Sequence, residues 1–99
     1  MALGDSVLNL QQVAAGAYVD IQPAGTVEYE IHAIFFGGDI AVQFRTAANY
    51  VEFETIDGDD TPGSLEKCKY TVSNTYFLRI LNNDTGPIYV GWMGVEIAE

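Results

Sequence analysis

Residues 26–36 read TVEYEIHAIFF, and the alternation within this stretch decides the fold class. Apolar residues recur at every second position, a period typical of a β-strand with one buried face. That face carries Val27, Tyr29, Ile31, Ala33 and Phe35. The opposite face begins with Glu28, Glu30 and His32 and ends with Ile34 and Phe36. We therefore expect a strand whose odd-numbered residues face the core and whose even-numbered face becomes apolar near its end.

The same rhythm extends over the whole chain, with Gly, Asn, Asp or Pro clusters between the apolar segments. It predicts an all-β fold: a single antiparallel β-sandwich of about eight strands, jelly-roll-like or immunoglobulin-like. The predicted strands are Ser6–Val13, Ala17–Gln22, Thr26–Phe36, Ile40–Arg45, Tyr50–Thr55, Glu66–Val72, Tyr76–Asn82 and Pro87–Ile97.

Two turns are well marked by residues that tolerate tight backbone geometry. Residues 37–39 read GGD, and residues 82–86 read NNDTG before Pro87. Glycine accepts the positive φ angles of tight hairpins, and proline suits the first position of a strand. Both turns are therefore predicted to join antiparallel hairpins.

Length and charge limit the classes of function. Ninety-nine residues support one core, so residues 1–99 form one domain. Fourteen Asp and Glu against four Lys and Arg give a formal net charge of −10, which repels nucleic acid and anionic membranes. The start, MALGDSVLNL, lacks the basic and apolar segments of a signal peptide, so we expect a cytoplasmic protein.

The acidic segment TIDGDDTPGS, residues 55–64, has two interpretations. Asp57, Asp59 and Asp60 begin the alternating carboxylate spacing of a calcium loop, but no closing glutamate completes it. Asp and Gly also favour a solvated turn, and Pro62 blocks strand extension. The turn is favoured, and an adventitious divalent cation is the alternative.

Other candidate catalytic groups lack the partners that catalysis requires. Glu28 with Glu30, and Glu52 with Glu54, have the i, i+2 spacing that any strand gives to outward charges. His32 is the only histidine and has no GxSxG motif to accompany it, so a surface histidine is expected.

Cys68 is the only cysteine, which excludes an internal disulfide and a multi-cysteine metal site within one chain. Lys67 and Lys69 flank this cysteine but point to the opposite strand face, so a small buried side chain is favoured over a reactive thiolate. We expect a non-enzymatic protein without catalytic residues, metal or cofactor.

Two strands are apolar on both faces, in FLRIL and IYVGWMGVEI. Either another part of the chain covers their outer face, or a second subunit does. The second alternative predicts a homo-oligomer with interface residues Ile34, Phe36, Phe77, Tyr89 and Met93.

Trp92 and six tyrosines could stack on sugar rings, which makes a carbohydrate-binding or receptor-binding module an alternative function. The same aromatic residues are equally suited to filling a small β core.

The segments VAAGAYVDIQPAGTVEYEIHAIFF, NTYFLRILNN and VGWMGVEI resemble small β-sandwich structural proteins of tailed bacteriophages. The resemblance implies a virion component, assembled in the host cytoplasm, that decorates or cements the outside of the capsid. Its implied partner is the major capsid protein. A trimer is the expected oligomer because three-fold positions are abundant on icosahedral shells. A tail or fibre location is the alternative.

Overall fold

The computed structural model describes residues 4–56, 63–66 and 69–98. Over these ranges the chain is all-β and contains no helix, so none that could cross a membrane is found there. The strands are β1 (Ser6–Val13), β2 (Tyr18–Ile21), β3 (Glu28–Phe36), β4 (Ile40–Arg45), β5 (Tyr50–Ile56), β6 (Gly63–Leu65), β7 (Tyr70–Val72), β8 (Phe77–Asn82) and β9 (Ile88–Ala98). The predicted strand Glu66–Val72 overlaps only β7, and β6 precedes it as a separate strand.

The strands form two antiparallel sheets that pack face to face, which confirms the predicted β-sandwich. Sheet A has the order β1-β9-β3, and both β6 and β7 pair with the free side of β3. Sheet B has the order β2-β8-β4-β5. Strands β1 and β9 pair over eight residues, and β9 lies in the middle of sheet A between β1 and β3.

The core lies between the two sheets and consists mainly of aliphatic side chains. Sheet A contributes Val7, Val13, Ile31, Ile34, Phe36, Val72, Ile88, Val90 and Trp92. Sheet B contributes Ile21, Ile40, Val42, Leu78 and Ile80. Burying each of these large side chains stabilises the fold by about 1.5 to 3 kcal/mol. In the last strand Val90 and Trp92 are buried, while the interface candidates Tyr89 and Met93 are exposed.

The face assignment is wrong in the second half of β3. The pairing with β9 shifts register between Ile31 and Ala33, so one extra residue interrupts the alternation there. Such a β-bulge exchanges the two faces of all residues beyond it. Ile34 and Phe36 are consequently buried, at 0% and 7% exposure, whereas Phe35 is 37% exposed.

The two predicted hairpins are also wrong, because each turn carries the chain from one sheet to the other. Strand β3 belongs to sheet A and β4 to sheet B, and β8 and β9 are divided in the same way. The two connections contact each other at one end of the sandwich. The backbone N–H of Asp39 donates to the Asp84 carboxylate at 3.2 Å, and the Asn83 N–H donates to the Asp39 carbonyl at 3.0 Å. These bonds fix the crossing point between the sheets.

Candidate interaction surfaces

The outer face of sheet A carries a continuous apolar surface. Antiparallel pairing places Leu8 beside Met93 and Leu10 beside Gly91, with Phe35 on the far side of Gly91. Tyr89 follows on the same face of β9. We call the set Leu8, Leu10, Phe35, Tyr89 and Met93 the apolar band. Their exposed fractions are 68%, 70%, 37%, 58% and 41%, respectively.

The apolar band lacks charged side chains, although the chain has a net charge of −10. Its exposed surface is on the order of 500 Å², at the upper end of what the largest patch on a monomeric protein shows. Gly91 at its centre has no side chain, so Leu10 lies across it towards Phe35. Within the described part of the chain these side chains remain exposed.

The structure divides the five predicted interface residues into two groups. Tyr89 and Met93 lie in the apolar band. Ile34 and Phe36 point into the core for the reason given above, and Phe77 is only 4% exposed at the start of β8. These three side chains are inaccessible in the protomer. The bulge in β3 explains Ile34 and Phe36, whereas Phe77 lies on β8 and is buried although it alternates with the core residue Leu78.

Leu8 and Leu10, the two most exposed members of the apolar band, were not among the residues predicted from the sequence. Their i, i+2 spacing in β1 places them on one face, opposite Val7 and Val13. That spacing was visible in the sequence, but either face of a strand with apolar residues on both sides could be the buried one. The register of β1 against β9 places Leu8 beside the exposed Met93, so the face with Leu8 and Leu10 is the outer one.

A second open surface lies at the sheet B side of the sandwich. The exposed rings of Phe44, Tyr50 and Tyr76 line a cavity of about 190 Å³, which Arg45, Thr46, Asn49 and Val51 complete. We call this cavity the aromatic groove. A larger cleft of about 460 Å³ adjoins it through the shared residues Phe44 and Val51. Phe53 and Tyr70 meet edge to face in that cleft, with ring centroids 5.5 Å apart.

The outer face of sheet B also carries an ion pair. Arg79 donates two hydrogen bonds to the Asp20 carboxylate, at 2.7 and 3.0 Å. Its guanidinium lies 3.6 Å from the ring centroid of Tyr18, as a cation–π contact requires. The hydrogen bonds that Arg79 donates to Asp20 raise the pKa of Arg79, against a smaller opposing effect of burial. The two hydrogen bonds and the ring contact fix the position of the Arg79 guanidinium.

The acidic and histidine candidates that the structure describes lie on strands β3 and β5. His32 contacts Glu30 at 2.6 Å, and both side chains remain partly exposed, as expected for a surface histidine. A register shift between Val42 and Gln43 places Glu54 and Glu52 on opposite faces of β5, so the predicted pair does not share a face.

Within residues 4–56, 63–66 and 69–98, no group of three or more His, Cys, Asp or Glu side chains could hold a metal ion. Asp57, Asp59, Asp60 and Cys68 lie outside the described residues. A buried carboxylate that the sequence analysis did not single out is Glu96, which is 2% exposed on the inner face of β9.

Comparison with known proteins adds information on the fold only. The chain matches no protein-family model and no curated protein. Among solved structures it is similar to the crystal structure of Drosophila NLP-core, a structure that gives insight into pentamer formation and histone binding. The TM-score is 0.53 at 12% identity, and the match covers 94% of this chain and 99% of that chain. At this identity the likeness extends to the β-sandwich architecture alone.

Proposed function

We propose that this chain is a non-enzymatic structural protein of a virion, which binds the outside of the capsid and stabilises it. The observation that carries the proposal is the apolar band on the outer face of sheet A. The band lies at the upper end of the patch sizes that monomers show, and a contiguous exposed apolar patch of that extent supports a protein–protein contact. The sequence resemblance to small phage structural proteins supports the capsid as its location.

We propose that the apolar band forms the centre of a homo-oligomeric interface. A stable interface buries about 800 Å² on each partner, and the band would supply the apolar centre of such an area. A cyclic oligomer can match the symmetry axes of an icosahedral shell. We propose three subunits, because three-fold positions are abundant on icosahedral shells. The fold neighbour NLP-core forms a pentamer, so a five-membered ring is the alternative.

Attachment to the capsid would follow from several weak contacts made by one oligomer. The net charge of −10 argues against general charge attraction to an acidic shell, so apolar and main-chain contacts are proposed. Contacts that are weak individually become durable when one oligomer engages several shell subunits at once. The major capsid protein is the proposed partner.

The test compares particles assembled with and without this protein. Particles that lack it should release their DNA at a lower temperature, and adding purified wild-type protein should restore the original temperature. Adding the Leu10→Asp variant should not restore it, because the oligomer would not form. Equal thermal stability of the two particle preparations would contradict the proposal.

The net charge also supports a second candidate, the binding of a basic protein segment. Histone binding is part of what the NLP-core structure describes, and histones are basic. Electrostatic binding of this kind weakens steeply with added salt. Titration with a lysine- and arginine-rich peptide at low and high salt tests it. Absence of binding at low salt would remove this candidate.

A further inference from the structure

We propose that the aromatic groove binds a neutral pyranose sugar. Three aromatic rings with large exposed fractions meet there: Phe44 at 45%, Tyr50 at 59% and Tyr76 at 53%. A pyranose ring presents C–H groups on one face and hydroxyl groups around its edge. The C–H face is attracted to the negative face of an aromatic ring, and the hydroxyl edge needs polar partners. The aromatic groove offers both.

The rings are held in place before any ligand binds. Tyr76 stacks on Phe44 with ring centroids 6.1 Å apart and an interplanar angle of 15°. Its backbone closes a turn with Ser73, whose N–H donates to the Tyr76 carbonyl at 2.7 Å, while the Tyr76 N–H donates to the Ser73 hydroxyl at 3.1 Å. Little conformational entropy would therefore be lost when a ligand settles on this ring.

The opposite wall is equally well fixed. The Thr46 N–H donates to the Asn49 carbonyl at 2.8 Å, and the Asn49 N–H donates to the Thr46 hydroxyl at 3.2 Å. This turn joins β4 to β5 and positions Tyr50 directly after it. The Arg45 guanidinium lies 5.2 Å from the centroid of the Tyr50 ring and donates to the Gln43 side chain at 2.9 Å.

Polar groups are available at the rim of the groove. The Asn49 side-chain amide makes no hydrogen bond to any of the described residues, so its donors and its acceptor can reach a ligand. The Thr46 hydroxyl accepts bonds from the turn, which leaves its proton free to be donated outward. The Asn49 amide and the Thr46 hydroxyl can form hydrogen bonds with two adjacent hydroxyl groups of a sugar.

Size and charge favour a neutral sugar over other ligands. A cavity of about 190 Å³ is small for a peptide side-chain pair but accommodates one pyranose ring. The net charge of −10 repels acidic sugars. Arg45 is the one cationic residue among those lining the groove; its guanidinium lies over Tyr50 and donates one hydrogen bond to Gln43, while its buried Nε has no partner among the described residues.

The test uses purified protein and a panel of methyl pyranosides together with neutral and sialylated oligosaccharides, screened on an array. Each hit is then titrated in solution by NMR so that avidity does not contribute. We expect weak, saturable binding of a neutral pyranoside, with chemical-shift changes in the residues around the groove. Tyr76→Ala should weaken binding at least about tenfold, and Tyr76→Phe should retain it because the ring is retained.

Tyr18→Ala is the matched control, since Tyr18 is 52% exposed on the opposite edge of sheet B. It should bind like the wild type. The circular dichroism spectrum of each variant checks that the fold is intact, and Tyr50→Ala provides a second test if Tyr76→Ala does not fold. Absence of binding across the panel, binding limited to sialylated sugars, or binding by folded Tyr76→Ala or Tyr50→Ala equal to that of the wild type would overturn the inference.

Discussion

The apolar band makes a sharp prediction for Leu10→Asp. Leu10 is 70% exposed in the protomer, so the substitution removes little packing within the subunit. Placing aspartate in a strand costs the protomer at most about 1 kcal/mol. The isolated subunit should therefore keep its β-type circular dichroism spectrum and most of its thermal stability.

The same change should dissociate the oligomer. Covering the exposed part of Leu10 removes about 120 Å² of apolar surface from water, which contributes about 3 kcal/mol at about 25 cal/mol per Å². Losing that contribution lowers the association constant of each subunit contact by about 150-fold. Burying the aspartate charge instead adds a further desolvation cost in the same direction.

Sedimentation velocity over a range of protein concentrations is the assay. The wild type should sediment as an oligomer and Leu10→Asp as a monomer. Val51→Asp is the matched control because Val51 is 65% exposed but lies on β5, outside the apolar band, so it should sediment like the wild type. The reasoning is refuted if the wild type is a monomer throughout, or if Leu10→Asp and the wild type sediment identically.

Three further substitutions test the fold. Phe36→Asp buries a charge where a core ring packs, so the protomer should lose its β spectrum; a retained spectrum would contradict the face assignment beyond the bulge. Gly94→Ala would press a Cβ atom against the backbone of β3 and should lower Tm by at least about 10 °C, whereas Gly86→Ala, with open space around it, should change Tm little. Asp20→Ala leaves the partly buried Arg79 without its carboxylate and should cost about 2 kcal/mol by urea denaturation; an unchanged midpoint would mean that the pair is dispensable.

Much of the fold follows from local sequence pattern. The bounds of β1 and β4 agree with the prediction at both ends, because Gly, Asp and Asn residues flank these apolar segments. The order of the strands could not be predicted in this way. A glycine-rich turn is compatible both with a hairpin and with a crossing between sheets, and only the long-range pairing of β9 with β1 and β3 distinguishes the two.

The candidate surfaces were predictable only in part. Alternation in the last strand placed Tyr89 and Met93 outside, and the structure agrees. The bulge between Ile31 and Ala33 coincides with the change from polar to apolar residues on the even-numbered face, but that change is equally compatible with a strand whose end is covered, so the sequence did not identify it as a bulge. The aromatic groove depends on turns that bring Tyr76 beside Phe44 across 32 residues of chain, and local periodicity carries no information about such contacts.

Imaging of purified particles by cryo-electron microscopy tests the capsid proposal most directly. Virions from cells in which this gene is expressed should show a β-sandwich on the outer surface of the head, arranged as a ring around a symmetry axis. The apolar band should face the neighbouring subunits in that ring, with Leu10 at the contact. Density on the tail, no density at all, or a sandwich whose apolar band faces solvent would contradict the account.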